Sequence, residues 1–252
     1  MKIETLNMPP NSIVSLVPSL TELLFDLGLG EKVTGRTKFC IHPREKIDRV
    51  QIVGGTKNPR LDKIREIQPE LVIVNKEENR REDVEELKRY FDVHVTEIGN
   101  INEALFTIHD IGWKCGVEEK AKSMIHKIQE KMEDVPEEKP MTAAYMIWRD
   151  PWMTVGGDTY IHSVMDHCNL ENVFSDKTRY PNTSLEELSL KNPDVILLSS
   201  EPYPFKEKHI REVNEYCKKT SIILVNGEWF SWYGSRMLKA FEKLNVLRRA
   251  IA

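Results

Sequence analysis

The sequence predicts an α/β protein of two lobes, each built on a parallel sheet, bridged by a long backbone helix, with a ligand cleft between the lobes. Three observations predict it. The first is a repeat: residues 61–74 read LDKIREIQPELVIV and residues 185–198 read LEELSLKNPDVILL, an ungapped offset of 185 − 61 = 124 positions. In each copy, apolar residues at helical spacing (Leu61, Ile64 and Ile67; Leu185 and Leu188) run into Pro69 or Pro193, which cannot continue a helix. An acid follows, then four aliphatics in a row, the pattern of a strand buried on both faces of a parallel sheet. The second observation is that short apolar runs alternate with helical patterns in both halves of the chain. The third is that the middle of the chain is helical. Together they imply two Rossmann-like lobes: residues 1–100, a bridging helical segment 101–140, and residues 141–252.

Composition narrows the class of function. The 252 residues are 40% hydrophobic and 30% charged, ordinary for a chain that buries a real core. The formal net charge is 36 − 40 = −4, which argues against a dedicated nucleic-acid face. No segment approaches the roughly 18–20 uninterrupted apolar residues that span a bilayer. Residues 1–10 lack the apolar core of a signal peptide. The chain is therefore expected to be cytoplasmic if this start is native, and periplasmic or extracellular and membrane-associated if a leader once preceded it. Cys40, Cys115, Cys168 and Cys217 are scattered without Cys-x-x-Cys spacing, which predicts free thiols rather than disulfides or a structural zinc site.

In chain order, residues 12–17 read as a strand that enters a helix, with Ser19 and Glu22 spaced as a capping box and Gly28 and Gly30 at its end. A strand feeding a capped helix puts the helix N-terminus at the carboxyl edge of a sheet, where open α/β folds bind ligands. Residues 33–36 predict a second strand, followed by a loop in which Phe39, Cys40 and His42 line a pocket or, as a Cys-x-His pair, act on a ligand. Residues 51–56 predict a strand ending in a glycine turn. After the first repeat come a charge-rich helix at 81–90 and a closing strand at 93–98. Helical spacing covers 101–113 and 117–135, and Pro136 and Pro140 break it. The second lobe reads as a strand at 141–148, a helix at 162–168, the second repeat, a helix at 206–218, a strand at 222–225 and a helix at 235–247. His162 and His167 are five apart, so they do not share a helix face as a metal pair would.

Aromatic residues mark the candidate site. Trp148 and Trp152, with Arg149 between them, and Trp229, Trp232 and Tyr233 fall in two clusters that each follow an apolar strand. Tyr180 lies in the loop ahead of the second repeat. Aromatics at strand ends, with Arg149 and Glu228 among them, suit a large, flat, partly polar ligand.

With these segments in hand, the chain resembles the helical-backbone class of ABC-transporter substrate-binding proteins, and its cobalamin-binding and iron-siderophore branch in particular. The matching stretches are residues 13–22, 61–74, 167–174, 184–198 and 226–230. The resemblance implies a monomer without intrinsic cofactor. It would capture a cobalt- or iron-containing chelate between its lobes and dock on an ABC permease dimer. It implies ligand contacts at Phe39, Trp152, Tyr180 and Glu228, and permease docking through one acid per lobe, Asp62 and Glu186, the second positions of the two repeats. Gly55 and Asn75 stand where the cobalamin branch has aromatics, and Trp232 where it has a basic residue. Two functions remain open: a receptor without chemistry, with no catalytic or resident metal residues, or a leaderless cytosolic chelate-handling protein or enzyme using Cys40, His42 or Glu228.

Overall fold

The computed structural model describes residues 8–134 and 139–251, and the chain divides into two compact units. The first comprises the chain up to Ile98 with Glu103–Lys127 and Tyr233–Arg236. The second comprises Gly99–Asn102, Ile128–Trp232 and the chain from Met237 onward. Residues 1–7 of the N-terminal segment and most of the break expected at 136–140 lie outside the described residues.

The first unit alternates strands and helices: β1 (Ile13–Ser15), α1 (Pro18–Asp26), β2 (Val33–Arg36), α2 (Arg44–Ile47), β3 (Gln51–Ile52), α3 (Leu61–Ile67), β4 (Leu71–Asn75), α4 (Arg81–Leu87) and β5 (Val93–Thr96). The strands form one sheet in the order β3-β2-β1-β4-β5, every pair parallel. The order reverses between β1 and β4, so the loops leaving their carboxyl ends diverge. All five residues of β4 are buried, as its unbroken aliphatic run requires. Val14, Leu16, Val53, Ile64, Val72 and Val74 form one core around it.

Two helices follow, α5 (Ile101–Lys114) and α6 (Glu118–Glu133), separated at Gly116, whose φ of +71° suits glycine. The division into units falls after Asn102 in α5 and after Lys127 in α6, within the two helices, and also after Ile98, Trp232 and Arg236. The second unit contains β6 (Met141–Trp148), β7 (Met153–Thr154), α7 (Tyr160–His167), β8 (Leu170–Asn172), α8 (Leu185–Lys191), β9 (Val195–Ser199), α9 (Glu207–Tyr216), β10 (Ser221–Val225), α10 (Glu228–Ser231) and α11 (Arg236–Ala250). Its sheet runs β10-β9-β6, with β8 parallel to β6 and the two-residue β7 antiparallel to it. β7 is not visible as a strand in the sequence, and its direction follows from the four residues that separate it from β6. So short a turn can only return the chain antiparallel.

The repeat is structurally exact in its corner. α3 ends on Gln68 at φ +52° and α8 on Asn192 at φ +44°, both left-handed, and each donates its N–H to the carbonyl four residues back, of Ile64 and Leu188. Pro69 and Pro193 then fix the exit into β4 and β9, whose ten residues are all buried. The capping box expected at Ser19 and Glu22 does not form. α1 begins two residues earlier, with Pro18 in its first turn and Val17 at the cap position, so Ser19 already lies inside the helix. Glu22 instead accepts two bonds from the Arg236 guanidinium, at 2.9 and 2.7 Å.

Ile64 and Leu188 are fully buried at equivalent positions of the two corners. Ile64→Ala and Leu188→Ala are each expected to lose about 2–5 kcal/mol of stability, measured as a lowered urea midpoint of the transition in the unit that carries the change.

Candidate functional site

In the second unit, chain order reverses on either side of β6, so the loops leaving β6 and β9 part from each other at their carboxyl ends. An open α/β sheet forms its crevice at such a point. Both loops are aromatic here. β6 ends on Trp148, 39% exposed, and the turn that follows carries Arg149, Asp150 and a half-buried Trp152. β9 ends on Ser199, and its loop carries Glu201, Tyr203 and Phe205. The rings meet. Trp152 stacks on Phe205 at 5.7 Å with planes 14° apart, Trp148 meets Tyr203 edge-on at 5.6 Å, and Tyr203 meets Phe205 at 4.8 Å. Offset stacks and edge contacts are the favoured aromatic geometries, and these contacts join the four rings into one platform that is rooted in the core through the buried Phe205, with Trp152 and Tyr203 half-buried and Trp148 exposed.

Polar groups fix the platform from beside and beneath. The Arg149 guanidinium reaches Glu212 on α9 with Nε and Nη2, both near 2.9 Å or less, also bonds the Asp150 carboxylate, and lies 5.9 Å from the centre of the Trp152 ring. The hydrogen bonds from Arg149 hold the Glu212 carboxyl below its usual range. The His209 imidazole accepts from the Lys206 N–H through Nδ1 at 2.9 Å, so its hydrogen sits on Nε2, 3.2 Å from the Tyr203 hydroxyl. Its burial pushes its pKa down and keeps it neutral. Tyr203 also ties back to β6, donating its N–H to the Ile147 carbonyl at 3.3 Å. Sequence reasoning missed Tyr203, Phe205, His209 and Glu212. The signal available was the run from Glu201 to Phe205, two prolines and two aromatics directly after the second repeat.

The other expected positions are placed as follows. Tyr180 is half-buried in a loop that runs beside β7, where Thr154 donates to the Pro181 carbonyl and Gly156 to that of Arg179. The Arg179 side chain lies 5.6 Å over the Tyr180 ring. Its φ of +59° is a left-handed conformation, which costs a long side chain roughly 1 kcal/mol. Glu228 and Trp229 open α10 and are half-buried. Trp232 and Tyr233 are buried, and their polar tips are engaged: Trp232 Nε1 donates to Glu201 at 2.8 Å and the Tyr233 hydroxyl to Glu78 at 3.0 Å. Within this structure they brace their surroundings.

In the first unit, Phe39 is 50% exposed at the carboxyl edge, with the Lys38 ammonium 5.0 Å from its ring centre. Cys40 does not line that edge. It is fully buried, its sulfur 3.1 Å from the Thr21 hydroxyl and 3.2 Å from that of Thr37, and burial raises its pKa. All four cysteines are free and buried. Burial pushes Cys115 to about 11 and Cys168 to about 12, so these thiols stay protonated and unreactive at neutral pH. Asn75 is buried, and its side-chain oxygen accepts the N–H of Glu77 at 2.8 Å. A side chain at Gly55 would meet the Asn58 amide at 2.4 Å, so both positions serve the local backbone. Asp62 and Glu186 are both exposed, each at the second residue of its helix, and Asp62 lies 3.2 Å from Arg60. Among the described residues no cluster of three His, Cys, Asp or Glu could hold a metal ion, and no helix is long and apolar enough to cross a membrane.

Two α/β units, carrying the same corner 124 residues apart, define a two-lobed binding-protein architecture. Residues 13–218 match the periplasmic binding protein family, and the chain belongs to it. It is 29% identical over 206 residues to an ABC transporter substrate-binding lipoprotein of Bacillus subtilis, covering 77% of this chain and 65% of that protein's length. It is 23% identical to a vitamin B12-binding protein of Vibrio parahaemolyticus, covering 93% and 88%. Among solved structures, the fold matches the periplasmic vitamin B12-binding protein of Vibrio cholerae with a TM-score of 0.83 at 20% identity, over 97% of this chain and 98% of that one. It matches a periplasmic haem-binding protein of Roseiflexus with the same TM-score at 17% identity, over 96% and 98%.

The Arg149–Glu212 pair gives a pH prediction. A carboxyl whose folded pKa is depressed stabilises the fold above its unfolded value, near 4.5, and that stability is lost as pH falls through the lower folded value. Glu212→Gln is expected to cost roughly 0.5–1 kcal/mol at pH 7, read by urea denaturation. The difference from wild type should shrink as pH falls from 5 towards 3.

Proposed function

We propose that the protein is the substrate-binding receptor of an ABC importer and captures a bulky metal chelate, reversibly and without chemistry. The chelate is a corrinoid, a ferric siderophore or a haem-like compound. The observation that carries this reading is the platform of Trp148, Trp152, Tyr203 and Phe205 at the carboxyl edge of the second sheet. Connected aromatic faces with a few fixed polar groups at their margin suit a large, flat ligand with polar substituents. The names of the relatives support it: vitamin B12-binding proteins and a substrate-binding lipoprotein of an ABC transporter. In the second unit Trp148, Arg149, Trp152, Tyr180, Glu228 and Trp229 meet the ligand. Trp232 and Tyr233 are buried, with their polar tips on Glu201 and Glu78. Phe39 offers a further exposed ring on the first unit.

The partner is the membrane-spanning dimer of the importer. Asp62 and Glu186 support docking because both are exposed and stand at the same second position of two equivalent helices, which suits a partner with two-fold pseudo-symmetry. Receptor action on such a partner places the protein outside the cytoplasmic membrane. The alternative, a cytosolic chelate-handling protein or enzyme, has less support, since the thiols that would serve as nucleophiles are buried and protonated.

Titration of tryptophan fluorescence with cobalamin, cobinamide, haemin and ferric catecholate and hydroxamate chelates tests the reading. One class is expected to quench one-to-one and to be recovered unaltered, and Trp152→Ala to weaken its binding by about 1–3 kcal/mol through lost stacking. Recovery of a changed chelate would favour the enzyme. Charge reversal of Asp62 and Glu186 together is expected to abolish uptake in cells while leaving chelate affinity unchanged. Wild-type uptake by that double variant would remove the docking assignment.

A further inference from the structure

We infer that His209 is a positioning residue for ligand binding, and that its neutral imidazole makes chelate capture dependent on pH. The inference rests on the receptor reading above for its ligand arm and on geometry for the rest. His209 is the third residue of α9, and two reciprocal bonds close that helix start. The His209 N–H donates to the Lys206 carbonyl at 2.8 Å, and the Lys206 N–H donates to His209 Nδ1 at 2.9 Å. A glutamate at the third position closes a capping box in the same way. Here an imidazole does it, and an imidazole can lose its acceptor.

The same ring supports the platform. Its Nε2 lies 3.2 Å from the Tyr203 hydroxyl, and its edge meets Tyr203 and Phe205, each at 5.4 Å. Trp148 rests on Tyr203 and Trp152 on Phe205. His209 is therefore a buried group, 3% exposed, in contact with the two rings on which Trp148 and Trp152 rest, and it also ties down the backbone of the loop that carries those two. Adding a proton places an N–H at Nδ1 facing the Lys206 N–H. Two donors then confront each other, the loop loses its tether, and Tyr203 and Phe205 lose their fixed positions.

The groups facing the ring favour the neutral form. Lys206 and Lys208 at the start of α9 and Arg149 from the β6–β7 turn oppose a second positive charge. Glu212, one helical turn along α9, favours it, but its carboxylate is already held by Arg149. Tyr203 is the remaining titratable contact. The platform is thus held at neutral pH and released on acidification, with the transition below the ordinary histidine value of about 6.5.

Two variants and two readouts test this. His209→Asn keeps an acceptor where Nδ1 lies and does not titrate, while His209→Ala removes the tether. In the ligand-free protein, the near-ultraviolet circular dichroism of wild type is expected to weaken reversibly as pH falls from 8 to 5, and that of His209→Asn to stay flat. A flat wild-type curve, or the same transition in His209→Asn, would overturn the inference. With cyanocobalamin as probe, wild-type affinity is expected to fall severalfold or more between pH 7.5 and 5.0, up to the roughly thirtyfold ceiling that uptake of one proton sets for a group titrating below about 6.5. His209→Asn should change less than about twofold over the same range, and His209→Ala should bind weakly at both pH values. Equal wild-type affinity at the two pH values, or wild-type affinity in His209→Ala, would refute it. Failure of cyanocobalamin and every other chelate to bind wild type at pH 7.5 would remove the receptor reading instead, and the ligand-free spectra would still decide the role of His209.

Discussion

A strand buried on both faces can satisfy its backbone only through a neighbour on each side, and it tolerates no error in where it begins. β4 and β9 are such strands, flanked by β1 and β5 and by β6 and β10. Their starting points are set by the corner that precedes them. A left-handed Gln68 or Asn192 ends the helix, a proline fixes the direction, and an acid stays in water before the first aliphatic. Leu61 and Leu185 open the two helices, and Ile64 and Leu188 pin each corner to its core. Once β4 and β9 are placed, the register of each sheet follows, and with it the points at which the loops leave the carboxyl edge.

The two strands finish alike and then diverge. Each ends on a small buried polar residue that folds back on the chain after it. Asn75 accepts from Glu77, and the Ser199 hydroxyl contacts both the Tyr145 hydroxyl and the Glu201 backbone. These turns satisfy backbone groups that a buried strand end would otherwise strand. Beyond them the first unit continues with Lys76, Glu77, Glu78 and Asn79, while the second continues with Tyr203 and Phe205. One scaffold thus presents a polar loop in one unit and an aromatic one in the other.

The corners were legible because their signals are local. Apolar spacing, a proline and four aliphatics need no knowledge of distant residues, and 61–75 and 185–199 read nearly to the residue. The capping box at Ser19 was misread because Pro18 begins a helix as well as Ser19 would cap one, and Glu22 was already committed to Arg236, 214 residues away. The half of the platform on β6 was legible from Trp148 and Trp152. The half on β9 was not, because Tyr203 and Phe205 matter only through rings 55 and 53 residues away in sequence (203 − 148 = 55, 205 − 152 = 53). Burial of Trp232 and Tyr233 likewise depends on Glu201 and Glu78, which no spacing rule connects to them.

What lies beneath the aromatic platform decides how it can bind. Tyrosine and tryptophan rings offer large contact areas with few rotatable bonds, so a platform that is already ordered loses little entropy when a ligand lands on it. Order requires that the rings' polar neighbours be satisfied without water. Arg149 meets Glu212 with two N–H groups, and His209 meets Lys206 and Tyr203 with both ring nitrogens. These groups come from three elements: Arg149 from the turn after β6, Tyr203 and Lys206 from the loop after β9, and His209 and Glu212 from the first two turns of α9. The four rings are therefore held by three segments that share one polar layer.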